Sequence, residues 1–252
     1  MTSAARVFRV SPFRLNTFRR CRRLYKYRYV ERLPTAPNAY DTTGSNIHAA
    51  LRELMLRAPE ERTPARAADI VREQWQTNRA GFRGMADEAR WRARAIDQAA
   101  RFAQLPEAEG TPLAVERYLE VDLTPRVRLF GRIDRIDEAS NEGLHIIDYK
   151  TGRRPDEIDP GQLQLYAMMV HRSEERPVTA ATFLYLDDGT SWTAPPSALD
   201  HAAAANGVLE TVEQIVSERE YEPAVGPYCA FCDFQAICPA RKETVGRRLA
   251  EA

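Results

Sequence analysis

Four cysteines near opposite ends of the chain constrain the fold more than any other feature. Cys21 lies close to the N-terminus, whereas Cys229, Cys232 and Cys238 form a Cys-x2-Cys-x5-Cys pattern close to the C-terminus. In an intracellular protein, thiols clustered in this way hold a metal more often than they form disulfides. If all four bind one centre, the two ends of the chain must meet, and closing so long a loop stabilises the fold.

Zinc and an iron–sulfur cluster are both compatible with this spacing. Tetrahedral zinc sites take four thiolates, usually from two Cys-x2-Cys pairs. A 4Fe–4S cluster also takes four thiolates and accepts an uneven grouping of three plus one. Ordinary buried cysteines are a third explanation, which the density of the C-terminal triplet disfavours.

Length and charge place the chain among globular proteins. It has 252 residues and a formal net charge of zero, from 36 basic and 36 acidic side chains. The distribution of charge is therefore more informative than its sum. The longest apolar runs, such as residues 163–170, are far shorter than the roughly 20 residues of a membrane-spanning helix. Residues 1–10 lack the apolar core of a secretory signal, so we expect a cytoplasmic protein with no membrane partner.

Helical patterns fill the first hundred residues, and strand alternation follows them. Periodicity and capping residues predict helices over residues 11–29, 44–56, 64–79, 86–105, 161–171 and 199–219. Alternation predicts strands over residues 113–123, 126–137, 143–149 and 178–187. Three strands, a crossover helix and a further strand predict the mixed sheet of an α/β domain.

Basic and aromatic residues alternate in the first predicted helix. Between Arg14 and Arg28 there is no acidic residue. Basic groups suit phosphates and aromatic faces suit unstacked bases, although a solvated helix with an aromatic core face explains the same pattern. The candidate DNA-binding residues are Arg19, Arg20, Arg22, Arg23 and Lys26.

Two carboxylates and a lysine fall where neighbouring strands would bring them together. Asp148 and Lys150 are two residues apart in one predicted strand, so their side chains share a face. Asp134 lies on the preceding strand, which a hairpin would set opposite. Converging carboxylates repel unless a cation lies between them, and hard oxygen ligands favour Mg²⁺ or Mn²⁺. A lysine beside such a metal can orient an attacking water, which suits phosphodiester hydrolysis.

Each of these residues alone has a simpler explanation. Asp134 by itself is typical of a turn at a strand end, and Asp148 with Lys150 is typical of a surface ion pair. The combination favours the metal site, because a carboxylate at the end of the apolar run Leu144–Asp148 is costly to bury without a ligand or partner.

Five short motifs, in order, resemble the RecB-like branch of the PD-(D/E)XK nuclease superfamily. Gly131-Arg-Ile-Asp134 and Ile146-Ile-Asp148-Tyr-Lys150-Thr-Gly152 resemble its catalytic strands. Gly44-x3-His48 resembles its N-terminal histidine motif, and Gln162-Leu-Gln-Leu-Tyr166 resembles its Q-L-x-x-Y helix. The four cysteines resemble those of its iron–sulfur members, the AddB-type nuclease domains and the CRISPR-associated nucleases that trim spacers. The resemblance runs from about residue 11 to about residue 240.

The resemblance implies a restriction-endonuclease-like α/β core, a mixed sheet flanked by helices, in a chain of three parts that form one compact unit. These parts are a helical N-terminal part with the basic helix and the histidine motif (residues 1–110), the nuclease core (residues 111–195), and the C-terminal helix with the Fe–S region (residues 196–252).

The resemblance also implies roles for individual residues. The catalytic Mg²⁺ or Mn²⁺ would be bound by His48, Asp134, Asp148 and the carbonyl of Tyr149. Lys150 would orient the water nucleophile and help to deprotonate it. Gln162 and Tyr166, one helical turn apart, would support the lysine or the DNA backbone. Glu116 matches an acidic residue on the first strand. Cys21, Cys229, Cys232 and Cys238 would hold a structural 4Fe–4S cluster rather than zinc.

The predicted function is metal-dependent hydrolysis of DNA by an exonuclease, in repair, recombination or CRISPR spacer processing. No G-x-x-x-x-G-K-S/T pattern occurs in the chain. We therefore expect the substrate to be single-stranded DNA or DNA with free ends, and the partners to be a helicase or CRISPR integrase proteins. The alternatives are a non-catalytic module of the same fold that binds DNA or a protein, and a zinc-stabilised interaction protein without a role on nucleic acid.

Overall fold

The secondary structure comes from a computed structural model that describes residues 7–75, 77–139 and 142–242. In that part of the chain the α-helices are α1 (Pro12–Arg20), α2 (Arg22–Tyr25), α3 (Ala39–Met55), α4 (Pro64–Trp75), α5 (Met85–Phe102), α6 (Gly161–Glu174) and α7 (His201–Ser217). The strands are β1 (Phe8–Val10), β2 (Pro112–Thr124), β3 (Val127–Glu138), β4 (Leu144–Lys150), β5 (Val178–Tyr185) and β6 (Thr190–Thr193). No described helix combines the length and the apolar character needed to cross a lipid bilayer.

Two compact units are built from interleaved stretches of the chain. Unit 1 consists of Met1–Ala36, Asp122–Leu129 and Asn206–Ala252, and unit 2 consists of Pro37–Val121 and Phe130–Ala205. Three predicted segments fall in part outside the described residues. They are the N-terminal segment at residues 1–6, the helix over residues 64–79 at residue 76, and the C-terminal part at residues 243–252.

Unit 2 contains the sheet order β3-β4-β5-β6, with β2 paired to β3. β3 and β4 are antiparallel, β4 and β5 are parallel, and β5 and β6 are antiparallel. The parallel pair is joined by α6, as a crossover between parallel strands requires. The predicted mixed α/β sheet flanked by helices is therefore confirmed.

The two faces of β4 have different surroundings. Ile147 and Tyr149 join the main hydrophobic cluster of unit 2, which is formed largely by α3, α4 and α5 and includes the fully buried Trp75. Asp148 and Lys150 point to the opposite face, because side chains alternate along a strand. There they contact Gln162 at the start of α6. The charged side chains of β4 thus face α6, whereas Ile147 and Tyr149 face the layer formed by α3, α4 and α5.

Unit 1 begins with β1, which pairs in parallel with the first residues of β3. Ser11 caps α1 by accepting a hydrogen bond from the backbone N–H of Arg14, and Pro12 occupies the first turn. The continuous helix predicted over residues 11–29 is wrong at Cys21, where the backbone is extended (φ −161°, ψ 113°). α2 and a π-helical turn, Lys26–Val30, continue the helical path.

The remaining differences from the predicted elements are at boundaries and in short strands. α3 begins at Ala39 rather than at residue 44, because the Asn38 side chain caps it by accepting from the N–H of Asp41. β1 and β6, of three and four residues, were not predicted. Strands this short carry too few residues for alternation to be visible.

Candidate metal centre

Three metal-ligating side chains of unit 2 converge on one point. The donor atoms of His48, Glu116 and Asp134 all lie within 4.8 Å of one another. His48 Nδ1 is 3.2 Å from Asp134 Oδ1 and 3.8 Å from Glu116 Oε1. The side chains are 28%, 17% and 11% exposed for His48, Glu116 and Asp134, so the cluster is shielded but still accessible to solvent.

Different elements supply each member of this cluster. His48 lies on α3, one turn after Gly44, and Asp134 lies in the middle of β3. Glu116 lies in β2 with a left-handed backbone (φ 52°), a conformation that costs a residue with a Cβ about 1–2 kcal/mol. Such strain persists where the surrounding structure imposes it, and it is common at functional sites.

Asp148 and Lys150 form the second half of the site with two residues of α6. Lys150 Nζ lies 2.5 Å from Asp148 Oδ2 and donates to Gln162 Oε1 at 2.7 Å. The amide nitrogen of Gln162 donates to Asp148 Oδ1 and to the Tyr166 hydroxyl, both at 3.1 Å. Only one orientation of the Gln162 amide satisfies an ammonium donor and a carboxylate acceptor together. Gln162 therefore fixes the relative positions of the carboxylate and the lysine.

Backbone and electrostatic contacts join the two halves. Asp134 Oδ2 accepts a hydrogen bond of 2.8 Å from the N–H of Tyr149, the residue between Asp148 and Lys150. Burial raises the pKa of the Tyr166 phenol, and the negative charges of Asp148, Asp134 and Glu116 raise it further. The three carboxylates thus act on one hydroxyl, as expected if they surround a common space.

The protonation equilibria show how strongly negative this space is. Burial lowers the pKa of His48, but Asp134, Glu116 and Asp148 outweigh it and raise the value to about 10. Burial raises the pKa of the Asp148 carboxyl and Asp134 adds to the rise, while Lys150 opposes it. Without a metal, the cluster therefore attracts a proton in place of a cation.

The donor set fits a hard divalent cation. Two ligands at about 2.1 Å from a metal and at right angles are about 3 Å apart, close to the His48–Asp134 separation. One imidazole nitrogen with several carboxylate oxygens suits Mn²⁺ or Mg²⁺. Asp148 Oδ2 is buried and makes no well-directed hydrogen bond, although the lysine ammonium is adjacent. One lone pair of this oxygen faces that ammonium, and the other is available to a cation.

Tyr149 has two distinct surroundings. Its backbone N–H bonds to Asp134, whereas its ring packs edge-on against Phe102 on the helical side of the sheet. Burial raises the pKa of its phenol to about 12. A metal-binding role for its carbonyl stays a prediction.

Two residues near the site were not identified from the sequence. A Cβ on Gly131 would lie 3.1 Å from the Tyr166 ring, so this glycine lets α6 approach β3. Phe183 lies under Lys150, with the ammonium nitrogen 4.5 Å from the ring centroid, a cation–π contact that holds the lysine. The glycine belongs to a quoted motif, but the place of Phe183 depends on sheet register and leaves no signal in sequence.

The four cysteines line one cavity of unit 1. None of them is in a disulfide, and Cys21 is buried. Apolar and aromatic side chains, including Tyr27, Tyr228 and Phe234, complete the lining. The sulfurs of Cys21 and Cys229 lie 3.5 Å from the backbone nitrogens of Leu24 and Gly226. Burial raises the pKa of the Cys232 thiol, which Cys21 and Cys229 raise further.

The candidate DNA-binding residues are largely engaged inside unit 1. Arg20 packs over the ring of Tyr228, and Arg23 lines the cysteine cavity. The other three make polar contacts, namely Arg19 with Thr211 Oγ1 (2.8 Å), Arg22 with Glu218 (3.0 Å) and Lys26 with Glu31 (3.4 Å). Their role on DNA stays a prediction.

Comparison with known proteins shows which family and which solved structures the chain is similar to. The family model of the PD-(D/E)XK nuclease superfamily matches residues 9–239. A candidate exonuclease from Eubacterium rectale is similar over 88% of this chain and 86% of its own, with a TM-score of 0.55 and 10% identity, which shows a shared fold alone. A structure of SSO0001 covers 80% of this chain and 95% of its own at 17% identity, but its TM-score of 0.38 carries no argument. No protein with a curated description matches.

Proposed function

The chain belongs to the PD-(D/E)XK nuclease superfamily, and from that premise we propose that it is a divalent-metal-dependent deoxyribonuclease that acts on single strands or free ends. One observation carries the proposal. The His48–Glu116–Asp134 donor cluster adjoins the Asp148–Lys150–Gln162 network through the hydrogen bond from Tyr149 to Asp134. Metal ligands and a positioned lysine within one space are the parts that phosphodiester hydrolysis needs.

The proposed roles follow from the donors and acceptors. His48, Glu116, Asp134 and Asp148 hold the cation, with the Tyr149 carbonyl as a further ligand. When bound, a divalent cation supplies a Lewis acid and lowers the pKa of water. Lys150 has three N–H donors; two face Asp148 and Gln162, which leaves one for the attacking water. Gln162, bonded to Tyr166, holds the Lys150 ammonium and the Asp148 carboxylate in fixed relative positions.

Degradation of end-labelled single-stranded DNA with Mn²⁺ or Mg²⁺, and with EDTA, tests the proposal. We expect Asp148→Asn and Lys150→Met to abolish degradation while the proteins stay folded by circular dichroism. Asp69→Asn is the matched control, because this aspartate of α4 is exposed and pairs only at the surface with Arg72. Undiminished activity in the Asp148 and Lys150 variants, or in EDTA, would sink the assignment.

For the cysteine cavity we propose a structural 4Fe–4S cluster. Among the described residues, His48, Glu116 and Asp134 form the only group of three or more His, Cys, Asp or Glu donor atoms within 4.8 Å of one another, so no three of the cysteine sulfurs lie that close together. Four sulfurs at about 2.3 Å from a single zinc ion would lie about 3.8 Å apart. Wider spacing and backbone N–H groups beside the sulfurs support a cluster.

Purification without oxygen tests the cluster. We expect a brown protein that contains iron and sulfide, and we expect Cys232→Ser to lose both together with thermal stability. A colourless protein that carries one zinc ion would show that the cavity holds zinc instead. The nuclease assay tests other residues, because the cysteines and the candidate metal centre belong to different units.

The finer role that we propose is removal of nucleotides from DNA ends, in repair, recombination or CRISPR spacer processing. The chain has no phosphate-binding loop of a helicase, so duplex substrates would have to be opened by a partner. We propose that this partner is a helicase or a set of CRISPR integrase proteins. Copurification of tagged protein from its own cells, with and without nuclease digestion of the lysate, would identify the partner.

A further inference from the structure

A row of side chains runs from the candidate metal centre to the edge of the sheet. Asp148 of β4 pairs in register with Phe183 of β5, and Phe183 pairs with Trp192 of β6. Residues paired across adjacent strands point to the same face. Neighbouring strands are about 4.8 Å apart, which places the backbone of Trp192 roughly 10 Å from that of Asp148.

The row forms a continuous aromatic surface. The rings of Phe183 and Trp192 are stacked, with centroids 6.2 Å apart and planes inclined by 22°. Lys150 Nζ lies 4.5 Å from the Phe183 centroid, so the surface begins at the proposed catalytic lysine. Phe183 is buried, whereas Trp192 is partly exposed at the edge strand. An indole beside the site is therefore accessible to a planar ligand.

A basic side chain accompanies this surface. Arg154 is exposed, and its Nη1 donates to the carbonyl of Ser191, the residue before Trp192, at 3.3 Å. Burial raises the pKa of Tyr185, Arg154 lowers it and Asp148 raises it. The guanidinium and the candidate metal ligand thus act on the same phenol. Positive charge next to stacked aromatic rings is the combination that binds unpaired nucleotides.

We infer that Trp192 stacks an unpaired base of the substrate strand next to the cleaved phosphate, and that Arg154 contacts the backbone of the same strand. The identification of the neighbouring site as catalytic rests on the proposed function. A base inside a duplex has both faces covered by its stacked neighbours, so it cannot lie on the indole without being unstacked. The surface therefore selects single-stranded DNA.

Binding without hydrolysis tests the inference. In EDTA, the anisotropy of labelled oligodeoxythymidylate is compared with that of an abasic strand of equal length and charge. We expect wild-type protein to prefer the strand that has bases. Trp192→Ala should weaken oligodeoxythymidylate binding about 10-fold and leave abasic binding unchanged, and Trp192→Phe should retain most of the preference. Trp91→Ala, in α5, is the control that should change neither.

Substitution of Arg154 should affect DNA binding in a different way from substitution of Trp192. Arg154→Gln should weaken binding of both strands alike and reduce the slope of log K against log salt by about one unit. Equal binding of the two strands by wild type, binding of neither, or a full preference for bases in Trp192→Ala would overturn the inference. Base-dependent binding that depends on Trp192, by a wild-type protein that fails to cleave with Mn²⁺, would instead refute the proposed function and leave base stacking by Trp192 intact.

Discussion

Two glycines of the quoted motifs should respond in opposite directions to the same substitution. Gly131 lies in β3 and Gly44 lies in α3. A Cβ on Gly131 would lie 3.1 Å from Tyr166 Cε1 and 3.6 Å from Met169 Cε. A Cβ on Gly44 would meet only Thr151, at 3.9 Å. Carbon atoms pack best at about 3.5–4.0 Å, so only the first contact is too close.

The neighbours of Gly131 cannot easily move. Met169 is fully buried, and Tyr166 is buried with its hydroxyl bonded to Gln162. Overpacking of this kind costs about 1–3 kcal/mol, and the reduced entropy of the unfolded chain returns about 0.4–1 kcal/mol. Gly131→Ala should therefore lower the free energy of unfolding by about 1–2 kcal/mol. Gly44→Ala should raise it by up to about 1 kcal/mol, since alanine is the better helix former.

Thermal unfolding of both variants beside wild type measures this difference. For a chain of this size 1 kcal/mol corresponds to about 2–4 °C in Tm, so a difference of about 1–3 kcal/mol should separate the two variants by about 2 °C or more. Gly131→Ala should also slow cleavage, because a displaced Tyr166 pulls on Gln162. A Gly131→Ala protein at least as stable as wild type, beside a Gly44→Ala protein that is less stable, would refute the steric reasoning.

Other substitutions test the site and the core. His48→Ala should abolish the stabilisation by Mn²⁺ that is seen as a rise in Tm; for an intact site this stabilisation is about 2.7 kcal/mol at 100 times Kd. An undiminished rise in Tm would exclude His48 as a ligand. Gln162→Met should slow cleavage roughly 100-fold with little change in Tm, whereas Gln164→Met on the same helix should leave both the cleavage rate and Tm unchanged. Asp137→Ala should cost about 3–5 kcal/mol in urea unfolding, because it leaves the fully buried Arg135 guanidinium without its carboxylate. Glu138→Ala, which breaks an exposed pair with Arg176, should cost less than about 1 kcal/mol.

Local periodicity was sufficient where the relevant residues lie on one element. The i, i+2 spacing of Asp148 and Lys150 predicts a shared face, and the i, i+4 spacing of Gln162 and Tyr166 predicts adjacent positions on a helix. The structure brings these four side chains together through hydrogen bonds and an ion pair. Short-range geometry therefore predicts each pair, whereas the contact between the two pairs depends on the packing of α6 against β4.

Long-range register could not be derived in the same way. Trp192 is a neighbour of Phe183 only because β6 pairs with β5 in one particular alignment. The left-handed backbone of Glu116 and the extended backbone of Cys21 are likewise imposed by their surroundings. Neither residue type favours these conformations, so propensity predicts a regular strand and a continuous helix.

The interleaved path of the chain sets an order of events during translation. All residues of unit 2 precede Asn206, whereas unit 1 requires stretches from both sides of them. A ribosome therefore releases the whole candidate metal centre before it synthesises the three cysteines after residue 228 that line the cavity with Cys21. Since domains generally fold as units during synthesis, unit 2 can acquire its structure in the nascent chain before the cysteine cavity can be completed.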